Sequence, residues 1–303
     1  MNYPLVTIGI PTYNRANKYL KEAIQSACNQ TYPNLEILIA DNCSHDDTAM
    51  LVRSFNDQRI RYHRHEVNIG SNNNFNYLLE NAQGIYFLLL HDDDLIDSDF
   101  IEVCLKAVDF KDDTGIIRTG MRRIDTDGAV IREKENLVNG LPIPDFFVGW
   151  FNGKTPMHLC STLFNTKRLK EIGGFRSKHN LFQDVIAEVS LSAKFGRVDV
   201  REVKASFRNH PSQRTSAAQI KAWCEDSLIL LDTLCDLAPE NKDVVRSKGL
   251  VFLANHNYSI AERIEAPFKR FCAHLKIFKT FGYPMSYLRN YVKRQVHRIG
   301  RAG

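Results

Sequence analysis

The sequence predicts an α/β protein in which a mostly parallel β-sheet, with helices on both faces, is followed by a helical region. Strand-length apolar runs alternate with helically spaced apolar residues through the first half of the chain. One of these runs, at residues 84–90, leads almost directly into three consecutive aspartates. After residue 215 the apolar spacing is helical only. We therefore predict a sheet domain over residues 1–215 and a helical C-terminal region over residues 216–303.

The predicted strands and helices of the first half follow one another in regular order. Strands are predicted at residues 5–10, 35–40, 59–65 and 84–90, and helices at residues 20–27, 45–55 and 71–82. This alternation favours parallel strands joined by helical crossovers. Ligands of such sheets bind at the carboxyl ends of the strands, so the segments that follow the strands are predicted to share one rim.

Composition places the chain among ordinary globular proteins. It has 303 residues, of which 44% are hydrophobic and 25% charged, enough for one large domain and an appendage. The seven cysteines are scattered without a CxxC pair, and the N-terminus lacks a signal-peptide pattern, so we expect reduced thiols in a cytoplasm. No apolar run has the length of a membrane span. Any membrane attachment is therefore expected to be peripheral.

Asp92, Asp93 and Asp94 are the strongest indication of a site. Three adjacent carboxylates repel one another unless a cation or hydrogen-bond donors offset their charge. Oxygen ligands at a strand end suit Mg²⁺ or Mn²⁺, which commonly take further ligands from a substrate diphosphate. The alternative is a solvated acidic turn that opens the next helix.

Ordered landmarks run along the first two thirds of the chain. They are residues 11–15, Ser26, residues 30–32, residues 41–44 with Asp46, residues 68–70, residues 82–84, residues 92–94, residues 173–175, residues 183–184 and residues 208–211. In this order and spacing they resemble family 2 glycosyltransferases of the Rossmann-like GT-A fold, of the type that builds bacterial surface polysaccharides. The resemblance extends to about residue 215.

The resemblance implies a site for a nucleotide-sugar donor. Tyr13 would stack on the base, Asp41 would accept the N3–H of a uracil or thymine, and Asp92 would lie beside the ribose. The remaining donor-site residues that it implies are Pro11, Thr12, Asn14, Arg15 and Asn76. The alternatives are a core aromatic for Tyr13 and a helix cap or turn acid for Asp41.

The resemblance also implies a metal site. Asp93 would bind Mn²⁺ or Mg²⁺, His210 would bind the metal or the diphosphate, and His91 and Asp94 are further candidate ligands. Two positions depart from the family pattern, since many members have Asp where this chain has His91 and Arg where it has Phe75. Phe75 is expected to pack its helix on the sheet, and the alternative for His210 is an exposed loop histidine.

Asp184 resembles the catalytic base of the family. An acceptor hydroxyl is a weak nucleophile, so a carboxylate must remove its proton on the face opposite the leaving group, which inverts the anomeric centre. The alternative is that Asp184 is the N-cap of the following helix.

The end of the chain has the pattern of a basic amphipathic helix. Apolar and basic residues separate onto two faces between residues 287 and 301. Such a helix binds anionic membrane surfaces, where acceptors on a lipid carrier would be presented. Packing on its own domain, or on a second copy in a homo-oligomer, is the alternative. Nucleic-acid binding is less favoured, because the basic residues lie in one tail.

These observations favour an inverting, metal-dependent glycosyltransferase that uses a nucleoside-diphosphate sugar and a glycan or lipid-linked glycan acceptor. A nucleotidyltransferase is an alternative, but it should have a Gly-rich basic loop after the first strand, which this chain lacks. A non-catalytic sugar-nucleotide binding or scaffold protein is another alternative. Such a protein would tolerate loss of Asp93 and Asp184, and both are present.

Overall fold

The computed structural model describes residues 3–210 and 219–282. The chain forms two compact units, Met1–Gln213 and Arg214–Gly303. The predicted basic segment at residues 287–299 lies outside the described residues.

The described part of the first unit contains nine strands and seven α-helices. The strands are β1 (Val6–Thr12), β2 (Leu35–Asp41), β3 (Ile60–Arg64), β4 (Tyr86–Leu89), β5 (Leu95–Ile96), β6 (Ile116–Ile124), β7 (Val130–Lys134), β8 (Thr162–Asn165) and β9 (Arg197–Arg208). The helices are α1 (Leu20–Cys28), α2 (Thr48–Arg53), α3 (Ser71–Asn81), α4 (Phe100–Lys106), α5 (Ile143–Phe151), α6 (Thr166–Glu171) and α7 (Gln183–Phe195).

The strands of this unit form one mixed sheet with the order β3-β2-β1-β4-β8-β6-β9-β5, and β7 pairs with β6. Strands β1 to β4 pair in parallel, as predicted, with Thr12 opposite Asp41. Strand β8 is antiparallel to both β4 and β6, while β6 and β9 are parallel. The ends of β1, β2 and β4 therefore lie side by side, which is where the sequence predicts the site.

Helices cover both faces of the sheet because its central strands are apolar on both sides. In β2, Ile37 and Ile39 point into one hydrophobic core, whereas Leu38 and Ala40 point into a second core on the other face. Every residue of β1 and β2 is buried. Continuous apolar runs of this kind are typical of parallel strands covered on both faces.

Helix α2 is shorter than predicted, beginning at Thr48 rather than near residue 45. The cause is Asp46, whose Oδ1 accepts hydrogen bonds from the Thr48 backbone N–H at 3.1 Å and from the Thr48 hydroxyl at 2.5 Å. Local bonds of this type hold the backbone out of the helix and define its start.

The described part of the second unit is helical, with α8 (Ile220–Asp236), α9 (Lys242–Ala261) and α10 (Pro267–Phe281). Helices α8 and α9 bury a hydrogen bond of 2.8 Å from the Asn257 amide to the Ser227 hydroxyl. None of the helices in residues 3–210 and 219–282 combines the length and apolar character that a bilayer span requires.

Candidate active site

The three aspartates after β4 point toward different partners. The Asp93 Oδ2 atom lies 2.8 Å from the His210 Nε2 atom, and Asp94 Oδ1 accepts the backbone N–H of Arg208 at 3.0 Å. Asp92 Oδ1 lies 3.9 Å from the Arg15 Nε atom. The last residue of β9 and a residue just after it thus contact two of the three carboxylates, and Arg15, after β1, lies near the third.

These contacts do not fully offset the crowding of the carboxylates. Burial, and next the charge of Asp93, raise the pKa of Asp92 to about 7, and the same two causes raise the pKa of Asp94. A raised pKa means that the ionised form is disfavoured at this turn. A bound cation would reverse that effect, because it stabilises the ionised carboxylates.

One group of residues at the turn has the donor atoms and spacing of a metal site. Ligand atoms of His91, Asp93 and Asp94 all lie within 4.8 Å of one another. His210 reaches the same place through its contact with Asp93. Two carboxylates with imidazole nitrogen fit a divalent ion such as Mn²⁺ better than they fit Ca²⁺.

The two departures from the family pattern contact each other. The ring centroids of Phe75 and His91 lie 5.1 Å apart. Phe75 is only 8% exposed and packs α3 against the sheet, in agreement with the packing interpretation of this residue. The two aromatic residues therefore form one packed pair beside the acidic turn, which consists of residues 92–94.

Tyr13 and Asp41 have contrasting environments at the ends of β1 and β2. Tyr13 is 42% exposed, so the interpretation as a core aromatic is wrong, and its ring is accessible for stacking. Asp41 is fully buried, with Oδ1 accepting the Ser44 backbone N–H at 2.8 Å and Oδ2 accepting the Tyr62 hydroxyl at 2.7 Å. Each carboxylate oxygen keeps a second lone pair, and base recognition by Asp41 stays a prediction.

Asn14 ties the loop after β1 to the loop after β2. Its backbone N–H donates to the Ser44 hydroxyl at 2.8 Å, and its Oδ1 accepts the His45 backbone N–H at 2.8 Å. The residue has a φ of 54°, a left-handed conformation in which Asn is one of the favoured residues. Pro11 and Thr12 are buried at the end of β1, just before this loop.

The Asn76 side chain binds the backbone of Phe175, which is distant in the sequence. Its Oδ1 accepts the Phe175 backbone N–H at 2.9 Å, and its Nδ2 donates to the Phe175 carbonyl at 3.0 Å. Gly174 has a φ of 76°, and a Cβ at this position would collide with the Asn76 side chain. Asn76 thereby fixes the start of the segment that leads to Asp184. Donor contact by Asn76 stays a prediction.

Asp184 is the second residue of α7. The N-cap position belongs to Phe182, so the interpretation of Asp184 as the cap is wrong. Its partly buried carboxylate accepts the backbone N–H of Val185 at 2.9 Å, and burial raises its pKa to about 6. A carboxylate with a pKa in this range is suited to accept a proton near neutral pH.

The sequence did not reveal the role of Arg208. This side chain is 1% exposed and donates to Glu22 at 2.6 Å and to the Asp93 carbonyl at 3.0 Å. Its guanidinium also lies over the Tyr19 ring, 4.4 Å from the centroid. Arg208 therefore links the acidic turn to α1. The only indication of this residue in the sequence was its position two residues before His210.

The fold is that of the GT-A class of glycosyltransferases. The crystal structure of S. aureus TarS 1–349 superposes with a TM-score of 0.65 at 16% identity, covering 91% of this chain and 79% of TarS 1–349. The mannosyltransferase PcManGT from Pyrobaculum calidifontis, in complex with GDP-Man and Mn²⁺, gives a TM-score of 0.60 at 18% identity, covering 97% of this chain and 80% of that one. At these identities the likeness concerns the fold.

The sequence model of glycosyl transferase family 2 matches residues 7–172. The chain belongs to this family. An uncharacterized glycosyltransferase of Rickettsia felis is 38% identical over 188 residues, which cover 60% of this chain and 30% of that relative. Chondroitin synthase of Escherichia coli is 34% identical over 137 residues, which cover 44% of this chain and 19% of the synthase. The match therefore spans less than a third of either relative.

Proposed function

We propose that the chain is an inverting, metal-dependent glycosyltransferase. It moves a sugar from a nucleoside-diphosphate sugar, with UDP or dTDP favoured, to a hydroxyl of a growing surface glycan of the lipopolysaccharide O-antigen or capsule type. The observation that carries the proposal is the 2.8 Å contact between Asp93 and His210, which joins the two predicted metal-site motifs across 117 residues.

The donor would bind along the rim formed by β1, β2 and β4. The exposed Tyr13 ring supports stacking on the base, and Arg15 near Asp92 supplies a cation beside the place predicted for the ribose and diphosphate. TarS has been crystallised with UDP-GlcNAc and PcManGT with GDP-Man, which supports a nucleotide-sugar donor for this fold.

Asp93, His91, Asp94 and His210 are the residues that would hold Mn²⁺ or Mg²⁺. A divalent ion bound there supplies positive charge for the diphosphate leaving group. Asp184 would accept the proton of the acceptor hydroxyl as the new bond to the anomeric carbon forms and the bond to the diphosphate breaks. Its fixed place in the first turn of α7 supports that role.

The donor assignment is tested by thermal unfolding with a panel of nucleotide sugars. We expect a UDP- or dTDP-sugar to raise the melting temperature of the full chain in Mn²⁺, and not after chelation of the metal. Stabilisation by GDP-sugars alone would contradict the nucleotide assignment. Absence of stabilisation by every donor would contradict the proposed function.

The pH dependence of transfer is expected to follow Asp184. Because burial raises its pKa to about 6, the fraction of enzyme with an ionised base falls as the pH drops through that value. The value of kcat/KM should therefore be constant well above pH 6 and fall about tenfold per pH unit well below it. The profile is measured at saturating Mn²⁺. The residual activity of Asp184→Asn should lack the fall in kcat/KM below pH 6. A parental profile that stays flat down to pH 4 would contradict the assignment.

We further propose that the C-terminal region contacts an anionic membrane. The sequence pattern of residues 287–299 supports this, and so does the described helix α10, which exposes Phe268 and Phe271 and carries basic residues without an acidic one. Basic residues near an anionic surface contribute about 1 kcal/mol each, and this attraction weakens with salt.

Truncation after Gly282 is expected to weaken binding to anionic liposomes. Transfer to a small acceptor should change little, because Asp93, Asp184 and His210 all precede the cut. Flotation over a range of salt concentrations, with neutral liposomes as the control, measures the effect. If the full chain stays unbound at low salt, or truncation unfolds the first unit, the segment serves packing or self-association instead.

A further inference from the structure

The hairpin of β6 and β7 separates its charges onto two faces. On one face, Arg122 pairs with Asp97 at 2.6 Å and with Glu133 at 3.3 Å. Glu135, two positions beyond Glu133, pairs with Arg201 of β9 at 2.9 Å. Alternate residues of a strand point to opposite faces. The charges on this face therefore neutralise one another.

On the other face, the charged residues of β6 and β7 are all cations. Arg123 lies directly opposite Arg132, and the next cation on the same side of β7 is Lys134. Among the described residues, no carboxylate lies within the 4.0 Å ion-pairing distance of these three side chains. Arg123, Arg132 and Lys134 form the cationic face. Like charges directly opposite each other destabilise a sheet, so this pairing contributes nothing favourable to folding by itself.

The repulsion reaches neighbouring groups. Burial, and next Arg132 and Arg123, lower the pKa of Lys134. Burial lowers the pKa of His158 to about 3, with Arg123 and Lys134 as the next causes. Arg123 and His158 also share a neighbour, because the guanidinium carbon and the imidazole centroid lie 5.9 Å and 4.6 Å from the centre of the Phe207 ring. A local excess of positive charge therefore surrounds this end of β6.

The cationic face lies next to the acidic turn but away from the predicted nucleotide site. Phe207 immediately precedes Arg208, whose side chain contacts the Asp93 carbonyl, and His210 follows two residues later. In the sheet, β6 and β9 lie on one side of β4, whereas β1 and β2, which carry Tyr13 and Asp41, lie on the other. An anion bound by this face would thus approach the reacting centre from the side opposite the nucleotide.

We propose that Arg123, Arg132 and Lys134 bind an anionic group of the acceptor, a carboxylate or a phosphate carried by the glycan. The inference rests on the proposed function and extends it to the class of acceptor. Two guanidinium groups opposite each other match the planar, bidentate hydrogen bonding of such anions. A bound anion between the two guanidinium groups also offsets the repulsion between them.

The test uses the full chain with UDP and Mn²⁺ present and three trisaccharides that differ at one position. One ends in glucuronate, one in the corresponding carboxyl-reduced sugar, and one in that reduced sugar bearing a phosphate. Calorimetry should show that at least one anionic trisaccharide binds about tenfold or more tightly than the neutral one. Comparison of the carboxylate-bearing and phosphate-bearing trisaccharides then shows which anionic group the cationic face binds.

Variants connect that preference to the cationic face. Arg123→Gln and Lys134→Gln should each reduce the preference for the anionic trisaccharide about tenfold or more and leave neutral binding unchanged. The matched control is Arg201→Gln, which removes an exposed cation from the ion-paired face and should leave the preference intact. Thermal unfolding should show Arg123→Gln at least as stable as the parent chain, because a repulsive pair is lost.

The inference fails if anionic and neutral trisaccharides bind equally, if none of them binds, or if Arg201→Gln has the same effect as Arg123→Gln. It also fails if duplex DNA binds with the same dependence on Arg123, since that indicates general attraction of polyanions. Binding of UDP with Mn²⁺ to the same variants tests the proposed function separately. If the nucleotide does not bind but the anion preference is present and lost in Arg123→Gln, the proposed function is wrong and the anion site stands.

Discussion

Asp184→Asn is expected to lower the transfer rate by roughly 10²-fold or more while donor affinity changes little. Asparagine keeps the size of the side chain and an oxygen that can accept the Val185 N–H, so the first turn of α7 should be preserved. What it cannot do is accept a proton from the acceptor. Turnover at saturating donor, together with the dissociation constant of the nucleoside diphosphate, measures the two effects separately.

Asp145→Asn provides the matched control for this result. Asp145 also lies in the first turn of a helix, α5, but it is exposed and has no role in the proposed chemistry. Its replacement should leave turnover unchanged. A transfer rate close to the parental one in Asp184→Asn would show that the base is another group.

Asp93→Asn should abolish most metal-dependent donor binding and most turnover without unfolding the protein. The substitution removes one of three crowded charges, and the charge of Asp93 is itself a cause of the raised pKa values of Asp92 and Asp94. The amide oxygen is a much weaker metal ligand than the carboxylate. Calorimetry with UDP in the presence and absence of Mn²⁺ gives the metal-dependent part of the affinity.

An exposed aspartate away from the rim serves as the control for Asp93. Asp113→Asn also removes one negative charge, from the loop before β6. In this variant Mn²⁺ should increase the affinity for UDP as much as it does in the parent chain. Equal metal-dependent affinity in Asp93→Asn and the parent chain would remove Asp93 from the metal site.

The sequence predicted those parts of the fold that depend on local pattern. Buried runs such as β2 and helically spaced apolar residues such as those of α1 determine their own class of element. Because parallel strands end at a common edge, the alternation also placed residues 11–15, Asp41 and residues 92–94 on one rim. The exposed position of Tyr13 and the burial of Asp41 were not predictable in this way, since both depend on the loops that cover the rim.

The rest depends on contacts between distant parts of the chain. Arg208 and Glu22 are 186 residues apart, and Asn76 and Phe175 are 99 apart, so no periodicity links them. The antiparallel direction of β8 depends on which distant strands it pairs with, and the separation of charges on the hairpin of β6 and β7 depends on strand register. Register is fixed by the whole sheet and by turn geometry, which residue spacing within one strand does not specify.

The stereochemistry of donor cleavage is the strongest test of an inverting mechanism in which Asp184 is the base. Proton NMR can follow the anomeric signal of the sugar when the chain is incubated with diamagnetic Mg²⁺ and the nucleotide sugar that stabilises it most, in water or with a simple hydroxyl acceptor. We expect release of the nucleoside diphosphate and first appearance of the sugar with inverted anomeric configuration, with both lost in Asp184→Asn. Retention of configuration, or failure to cleave any donor of the panel, would contradict this mechanism.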